Sequence, residues 1–195
     1  MLLRTFTFSF IVGLTAIYAA PPLPLGQDLA GNAVAPLAAD PGTKAVVLFF
    51  VAPDCPISNR YAPTIVRIAR DFGHDGVKTW LIYSDDLADP EVIQQHLNEF
   101  NLGLPIAIDR SFTIADYTGA DVTPEAVVYG WRDSDSAPQL LYRGRIDDQY
   151  EGFGKYRPAA TQHDLRSLQE NIIAGEFPNF TSTKAIGCYI PRPQP

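Results

Sequence analysis

Several residue types that often identify a protein's chemistry are scarce in this chain. Its 195 residues include two cysteines, one methionine and three histidines. Two cysteines allow at most one intramolecular disulfide, which excludes a scaffold held by many bridges. The histidines, His74, His96 and His163, lie far apart in the sequence and form no metal motif, so we interpret them as surface or helix-capping residues. No metal site is predicted.

Positive charge is also sparse. The chain has 15 lysines and arginines against 22 acidic residues, a net charge of -7, and its basic residues do not cluster. Such a surface repels nucleic acids and anionic lipids. We therefore expect no nucleic-acid partner.

Only the first residues form a long apolar run. Arg4 precedes an uncharged apolar stretch at 6–18, and Ile17-Tyr18-Ala19 is an acceptable cleavage site. A stretch of about 14 apolar residues is too short to span a bilayer comfortably. Residues 1–19 are predicted to be a cleaved signal peptide, which implies export to the periplasm or the extracellular space. No later stretch approaches membrane-spanning length, so we expect no stable membrane insertion of the mature chain.

Alternating apolar runs and helical patterns predict an α/β fold. Gly31 and Asn32 indicate a small N-terminal hairpin. Buried strands are predicted at 45–51, 77–83 and 105–108, an antiparallel pair at 125–131 and 139–145, and helices at 59–72, 89–100 and 161–174. This order indicates a mixed central sheet flanked by helices.

Cys55 lies between the first long strand and the first helix, where open α/β sheets place their functional sites. Free N–H groups and the partial positive charge at a helix N-terminus favour a thiolate. The thiolate is the reactive form of cysteine. Pro56 suits the first helical turn, where its missing N–H has no cost. The position predicts a nucleophilic thiol.

These residues resemble known proteins. Residues 50–58, with the sequence Asp-Cys-Pro-Ile-Ser around Cys55, resemble the active-site segment of thioredoxin-like proteins, and Thr123-Pro124 resembles the cis-proline loop that lies against the active-site sulfur in that family. The sequence Pro-Ile-Ala-Ile-Asp at 105–109 resembles a central strand of the same proteins. The chain is most similar to the redoxin group, which includes the alkyl hydroperoxide reductase and thiol-specific antioxidant proteins. Its Asp-Cys-Pro-Ile-Ser-Asn motif and C-terminal Gly-Cys resemble an exported bacterial branch.

The resemblance implies a thioredoxin fold with an N-terminal hairpin extension, a redoxin domain at 22–176 and a tail at 177–195 that carries Cys188. It implies a thiol-based oxidoreductase without a cofactor, with a protein thiol or disulfide or a small peroxide as substrate and an external thiol as reductant. Pro56, Ser58, Thr123 and Pro124 would shape the active site around Cys55.

Two positions depart from the family pattern. Ser58 occupies the position of the second active-site cysteine, so the usual local dithiol cannot form. Ala52 stands three residues before Cys55, where a peroxiredoxin carries the Thr or Ser hydroxyl that positions peroxide. Both ordinary dithiol chemistry and peroxidase chemistry therefore lack a usual residue.

Cys188 admits three interpretations. It acts as a resolving thiol for Cys55, forms a permanent disulfide with Cys55, or lies far from it. A different class of function is a non-catalytic binding module, in which Cys55 belongs to a structural disulfide or binds a soft metal such as Cu(I). Arg145 ends a predicted strand, and it either stabilises the Cys55 thiolate or lies in an exposed charge cluster.

Overall fold

The computed structural model describes residues 23–38, 40–132 and 137–193. The predicted signal peptide at 1–19 lies outside these residues. Within the described residues there are four helices, α1 (Pro56–Gly73), α2 (Pro90–Glu99), α3 (Thr113–Thr118) and α4 (Asp164–Ile173). The strands are β1 (Gly26–Gln27), β2 (Ala33–Val34), β3 (Ala45–Phe50), β4 (Val77–Tyr83), β5 (Ile106–Ile108), β6 (Val122–Thr123), β7 (Glu125–Gly130), β8 (Gln139–Gly144), β9 (Tyr150–Gly152), β10 (Lys155–Tyr156), β11 (Thr181–Ser182) and β12 (Cys188–Tyr189).

Eight strands form one mixed sheet in the order β11-β8-β7-β3-β4-β5-β1-β2. The central strands β3, β4 and β5 are parallel, whereas β7 and β8 run antiparallel to their neighbours. The N-terminal hairpin β1–β2 extends the sheet beyond β5. The α/β thioredoxin fold predicted from the sequence is confirmed, with its mixed sheet and flanking helices.

The central strand β3 is buried on both faces, as its unbroken apolar sequence predicts. Its alternate residues face two separate apolar clusters. Val47 and Phe49 pack in the cluster that contains residues of α1, α2 and α4, and Leu48 and Phe50 pack with α3 on the other face. These two layers hold the end of β3, and hence Cys55, in a fixed position.

The structure differs from the sequence-based expectations mainly in its short elements. Helix α1 begins at Pro56 rather than 59, because Cys55 is its N-cap. Helix α3 was not predicted, and the expected tail contributes β11 and β12. Helix α4 begins at Asp164 rather than 161, because Thr161 and Gln162 bond to Asp148 instead of continuing the helix. Among the described residues, no helix has the length and apolar character needed to cross a membrane.

Candidate functional site

Cys55 is the N-cap of α1, at the carboxyl end of β3. The backbone N–H of Ser58 donates to Cys55 Sγ at 3.4 Å, so one free N–H group of the first helical turn is directed at the sulfur. Pro56 occupies the first turn. The Cys55 side chain is completely buried, with 0% exposure. The local sequence thus places a shielded sulfur at the positive end of an 18-residue helix.

Ser58 closes the loop that precedes the helix. Its Oγ accepts a hydrogen bond from Ala52 N at 3.3 Å, and its side chain is buried. The hydroxyl therefore holds the loop between β3 and α1 in place.

The loop that contains Thr123 and Pro124 lies against the sulfur. The bond between these residues is cis, as the family resemblance implied. The Cys55 thiol donates to the Thr123 carbonyl oxygen at 3.0 Å. Glu125 holds the start of this loop, because its carboxylate accepts from Asp121 N at 2.9 Å and from Val122 N at 3.4 Å.

The tail pairs with the same loop. Strand β12 runs antiparallel to β6 and places Cys188 opposite Thr123. Gly187 lies so close to the Thr123 carbonyl that a Cβ at this position would overlap it. Beyond Cys188, Ile190 is buried and donates its N–H to Asp121 O at 2.9 Å. Arg192 forms ion pairs with Asp116 and Asp121. The tail is thus anchored on both sides of Cys188.

This docking brings the two thiols together. Both cysteines are unoxidised, and Cys188 lies opposite Thr123, whose carbonyl oxygen accepts from the Cys55 thiol. Burial opposes ionisation of Cys55, but the hydrogen bonds from Cys188 and from Ser58 N–H outweigh it and lower the pKa of the Cys55 thiol. Burial and the contact with Cys55 raise the pKa of Cys188 to about 12. Of the two thiols, Cys55 is therefore the one that loses its proton first as pH rises.

Arg145 is not brought to this site. Its guanidinium binds Asp164 through two hydrogen bonds, of 2.8 and 3.2 Å, and also donates to Gln162. The expectation that Arg145 stabilises the Cys55 thiolate is not met, because its charge is neutralised at the start of α4.

His96 was interpreted as a surface or capping residue, but it is buried and bonded beside the site. Asn59 donates through Nδ2 to Pro53 O at 2.9 Å, so its Oδ1 is the acceptor for His96 Nε2–H at 2.9 Å. The other ring nitrogen, Nδ1, then accepts from Tyr83 OH at 2.9 Å. This chain of bonds holds Pro53, two residues before Cys55. Helical spacing from Ile93 to His96 and Phe100 is the sequence signal that indicates its buried position.

The acidic residues after β8 have structural partners. Asp147 accepts from Tyr61 OH at 2.5 Å, and Asp148 accepts from Thr161 and from Gln162 N. Within the ranges that the structure describes, no group of three or more His, Cys, Asp or Glu residues is arranged to hold a metal ion. The stretch 133–136 lies outside those ranges.

A groove of about 360 Å³ lies beside the thiol pair. Thr123 and Cys188 form part of its wall, and the loops after β3 and β4 supply Asp54 and Asp85. Cys188 is partly exposed, whereas Cys55 does not line the groove. Cys188 therefore borders this space, and Cys55 does not.

Comparisons with known proteins are consistent with this geometry. The AhpC/TSA family model matches residues 20–134, a range that includes Cys55 and the cis-proline loop. No curated protein matches the chain.

Solved structures share the fold. A hypothetical protein from Sinorhizobium meliloti 1021 is 25% identical with a TM-score of 0.69, and the match covers 85% of this chain and 88% of that one. An uncharacterized conserved protein from Geobacillus kaustophilus is 21% identical with a TM-score of 0.73 and coverages of 93% and 95%. A secreted Mycobacterium tuberculosis disulfide oxidoreductase, described as homologous to E. coli DsbE, is 21% identical with a TM-score of 0.51 and coverages of 78% and 96%. The family match and the shared fold support a redox function.

Proposed function

The chain belongs to the AhpC/TSA family, and on that premise we propose that it is a thiol–disulfide oxidoreductase whose redox couple is the pair Cys55 and Cys188. The observation that carries the proposal is the docking of Cys188 opposite Thr123, whose carbonyl oxygen contacts the Cys55 thiol at the N-terminus of α1. Cys188 takes the part that a cysteine at the position of Ser58 would play in a local dithiol.

The reaction is an exchange of two electrons and two protons. In the reducing direction, the two thiols reduce a substrate disulfide to two thiols and become joined by an S–S bond; in the oxidising direction, two substrate thiols reopen that bond. The lowered pKa of Cys55 makes it the better leaving group whenever the bond is broken. Pro56, Ser58, Thr123 and Pro124 keep the sulfur at the helix end and in contact with the tail.

Disulfide exchange is favoured over peroxide reduction. Ala52 provides no hydroxyl to position a peroxide, and the Ser58 hydroxyl is already bonded to Ala52 N. Cys55 has no exposed surface at which a peroxide would meet it. We propose an exported location, in the periplasm or outside the cell, because residues 1–19 have the pattern of a signal peptide and such compartments sustain disulfides.

The test is a redox titration of the mature protein. Samples are equilibrated in glutathione buffers of defined potential, quenched with acid, alkylated and weighed by mass spectrometry. We expect one two-electron transition between dithiol and disulfide at a potential between about -120 and -300 mV. Cys55→Ser and Cys188→Ser must each abolish it.

Three outcomes contradict the proposal. A disulfide that resists dithiothreitol while the protein stays folded would be a structural bridge, and the absence of an intramolecular disulfide at every potential would remove the couple. Reduction of hydrogen peroxide by wild type and Cys188→Ser at equal rates would favour a peroxidase that uses Cys55 alone.

A further inference from the structure

The groove beside the thiol pair is lined by Cys188 but not by Cys55. Cys55 is completely buried beneath the tail, between Thr123 and the start of α1. Cys188 lies on the groove wall and is partly exposed. While the tail is docked, a molecule in the groove can therefore reach Cys188 but not Cys55.

The charge of the groove is negative. Asp54, Asp85 and Asp89 line it, and none of its lining residues is basic. One oxygen of Asp85 accepts from Leu87 N and one of Asp89 accepts from Glu91 N, which leaves the second oxygen of each carboxylate free of these turn contacts. Two arginines contact residues nearby. Arg110 donates to Ala88 O and to Gln27, and Arg192 is paired with Asp116 and Asp121.

The rim of the groove is apolar and exposed. Leu87 is 84% exposed and Tyr189 is 80% exposed, and Val92 is also exposed. All three line the same groove, and exposed apolar side chains that cluster in this way mark contact surfaces for other molecules. The volume of about 360 Å³ lies within the range of ligand pockets, about 300–1,000 Å³. Acidic walls and an apolar rim together fit a polypeptide segment with basic and apolar residues.

We propose that this groove receives a cysteine-containing segment of another polypeptide, with lysine or arginine beside the cysteine, and that this cysteine exchanges with Cys188 rather than with Cys55. The inference rests on the proposed redox couple and adds to it the class of partner and the sulfur that meets it. The exposed, tail-borne cysteine is the outward-facing member of the pair, and the helix-capping cysteine is the inward one.

In the oxidising direction, the Cys55–Cys188 disulfide oxidises two partner thiols to a disulfide. The partner thiolate attacks Sγ of Cys188, a mixed disulfide forms, the Cys55–Cys188 bond breaks and Cys55 leaves as a thiolate. That thiolate accepts a hydrogen bond from Ser58 N–H. A second partner thiol attacks the partner sulfur of the mixed disulfide, which releases the oxidised partner and leaves Cys188 to take up a proton. The Cys55–Cys188 disulfide is the oxidant and is itself reduced to two thiols.

The experiment compares matched peptide thiols. Oxidised protein is mixed with the acetylated tetrapeptide amides Lys-Leu-Cys-Lys or Glu-Leu-Cys-Glu, at equal thiolate concentration, and the reduction rate is followed. We expect the lysine peptide to react at least about fivefold faster at low ionic strength, because acidic walls concentrate cations. The ratio should fall towards one in 0.5 M salt, where the screening length is only about 4 Å.

Variants locate the effect. Asp85→Asn with Asp89→Asn keeps the oxygens that accept from Leu87 N and Glu91 N but removes both charges, and should reduce the peptide preference to less than about twofold. Asp75→Asn removes an exposed acid that does not line the groove, and should leave the preference unchanged. Acid quenching followed by peptide mapping should find the mixed disulfide on Cys188.

The outcomes separate this inference from the proposed function. 2-Mercaptoethanol is uncharged, so its reduction of the oxidised protein tests the redox couple alone. If it reacts but the two peptides react equally, or the adduct is on Cys55, the groove assignment is overturned while the couple stands. If neither 2-mercaptoethanol nor dithiothreitol reduces the protein, the proposed function itself fails.

Discussion

Gly187 and Thr123 touch backbone to backbone, and the α-carbon of Gly187 lies so close to the Thr123 carbonyl that a methyl group there would overlap it. The same carbonyl oxygen accepts from the Cys55 thiol. One peptide group thus contacts both the buried sulfur and the residue that precedes its partner, so the fit of the tail and the contact between the thiols depend on each other.

Gly187→Ala should therefore undock the tail. The clash is with backbone atoms, which cannot rotate away, and overpacking of this kind costs about 1–3 kcal/mol. We expect alkylation of both cysteines in the native reduced protein to accelerate by about tenfold or more, measured by mass spectrometry. Gly103→Ala is the control, because a Cβ there meets no atom within 4 Å. Equal rates in the two variants would show that Gly187 does not hold the tail.

Cys188→Ala should raise the pKa of Cys55. The substitution removes the thiol that donates to Cys55 Sγ, whereas the opposing effect of burial largely remains. Thiolate absorbance at 240 nm, followed against pH, should show a midpoint higher than that of wild type. Cys55→Ser should lack the low-pH thiolate signal altogether. A midpoint unchanged by Cys188→Ala would contradict the hydrogen bond as its cause.

The free energy of unfolding of the reduced protein should change with pH in a direction set by the shifted pKa values of the two cysteines. The folded pKa of Cys55 is lowered, so its contribution is present above the unfolded cysteine pKa, about 8.5, and is lost as pH falls through the folded value. The contribution of Cys188 to stability has the opposite pH dependence. Its pKa is raised to about 12, so this contribution is lost as pH rises from about 8.5 to 12. Relative to Cys55→Ser, reduced wild type should gain stability towards pH 8.5 in urea unfolding. A flat difference would contradict the lowered pKa.

Asn59→Ala should destabilise the region around the cysteine loop. It leaves His96 Nε2–H and the Pro53 carbonyl without their partner, and an unsatisfied buried group costs about 1–3 kcal/mol. Urea unfolding measures the loss. The matched control is Asn98→Ala, an exposed helical asparagine for which we expect a change within about 0.5 kcal/mol. Similar losses in both variants would mean that the buried network contributes little.

Arg145→Met should lower the free energy of unfolding slightly and leave the pKa of Cys55 unchanged. The arginine pairs with the partly buried Asp164, and pairs near the surface contribute about 1 kcal/mol or less. We expect a small loss of unfolding free energy, measured with urea, and no change in the Cys55 titration. A raised Cys55 pKa would restore the role that the sequence suggested for this residue.

The long elements and the position of Cys55 were predictable because local patterns determine them. Strand β4 was predicted with its observed limits, and the Asp89 cap with Pro90 marked the start of α2. Helix α3 has only six residues, and its N-terminal N–H groups at Ile114 and Ala115 are satisfied by the buried Asp109. A helix of six residues whose first N–H groups bond to a residue several positions upstream carries no periodic signal.

The docking of the tail could not be predicted from local sequence patterns, for a different reason. It depends on a backbone fit between Gly187 and Thr123 and on ion pairs from Arg192 to Asp116 and Asp121, across 71 to 76 positions of the chain. Sequence reasoning left three interpretations of Cys188 open because no short-range spacing encodes such contacts. His96, by contrast, was recoverable from helical periodicity.

Strand β11 lies at one end of the eight-stranded sheet, where its two residues run along β8, and the two-residue strand β2 lies at the other end. Short border strands leave little free backbone for edge-to-edge aggregation. Truncation of the chain before β11 would make the six-residue β8 an edge strand. Its unpaired peptide groups could then bond to a strand of another molecule. The tail that carries Cys188 is therefore also a solubility element, and a point substitution is a cleaner way than truncation to remove that thiol.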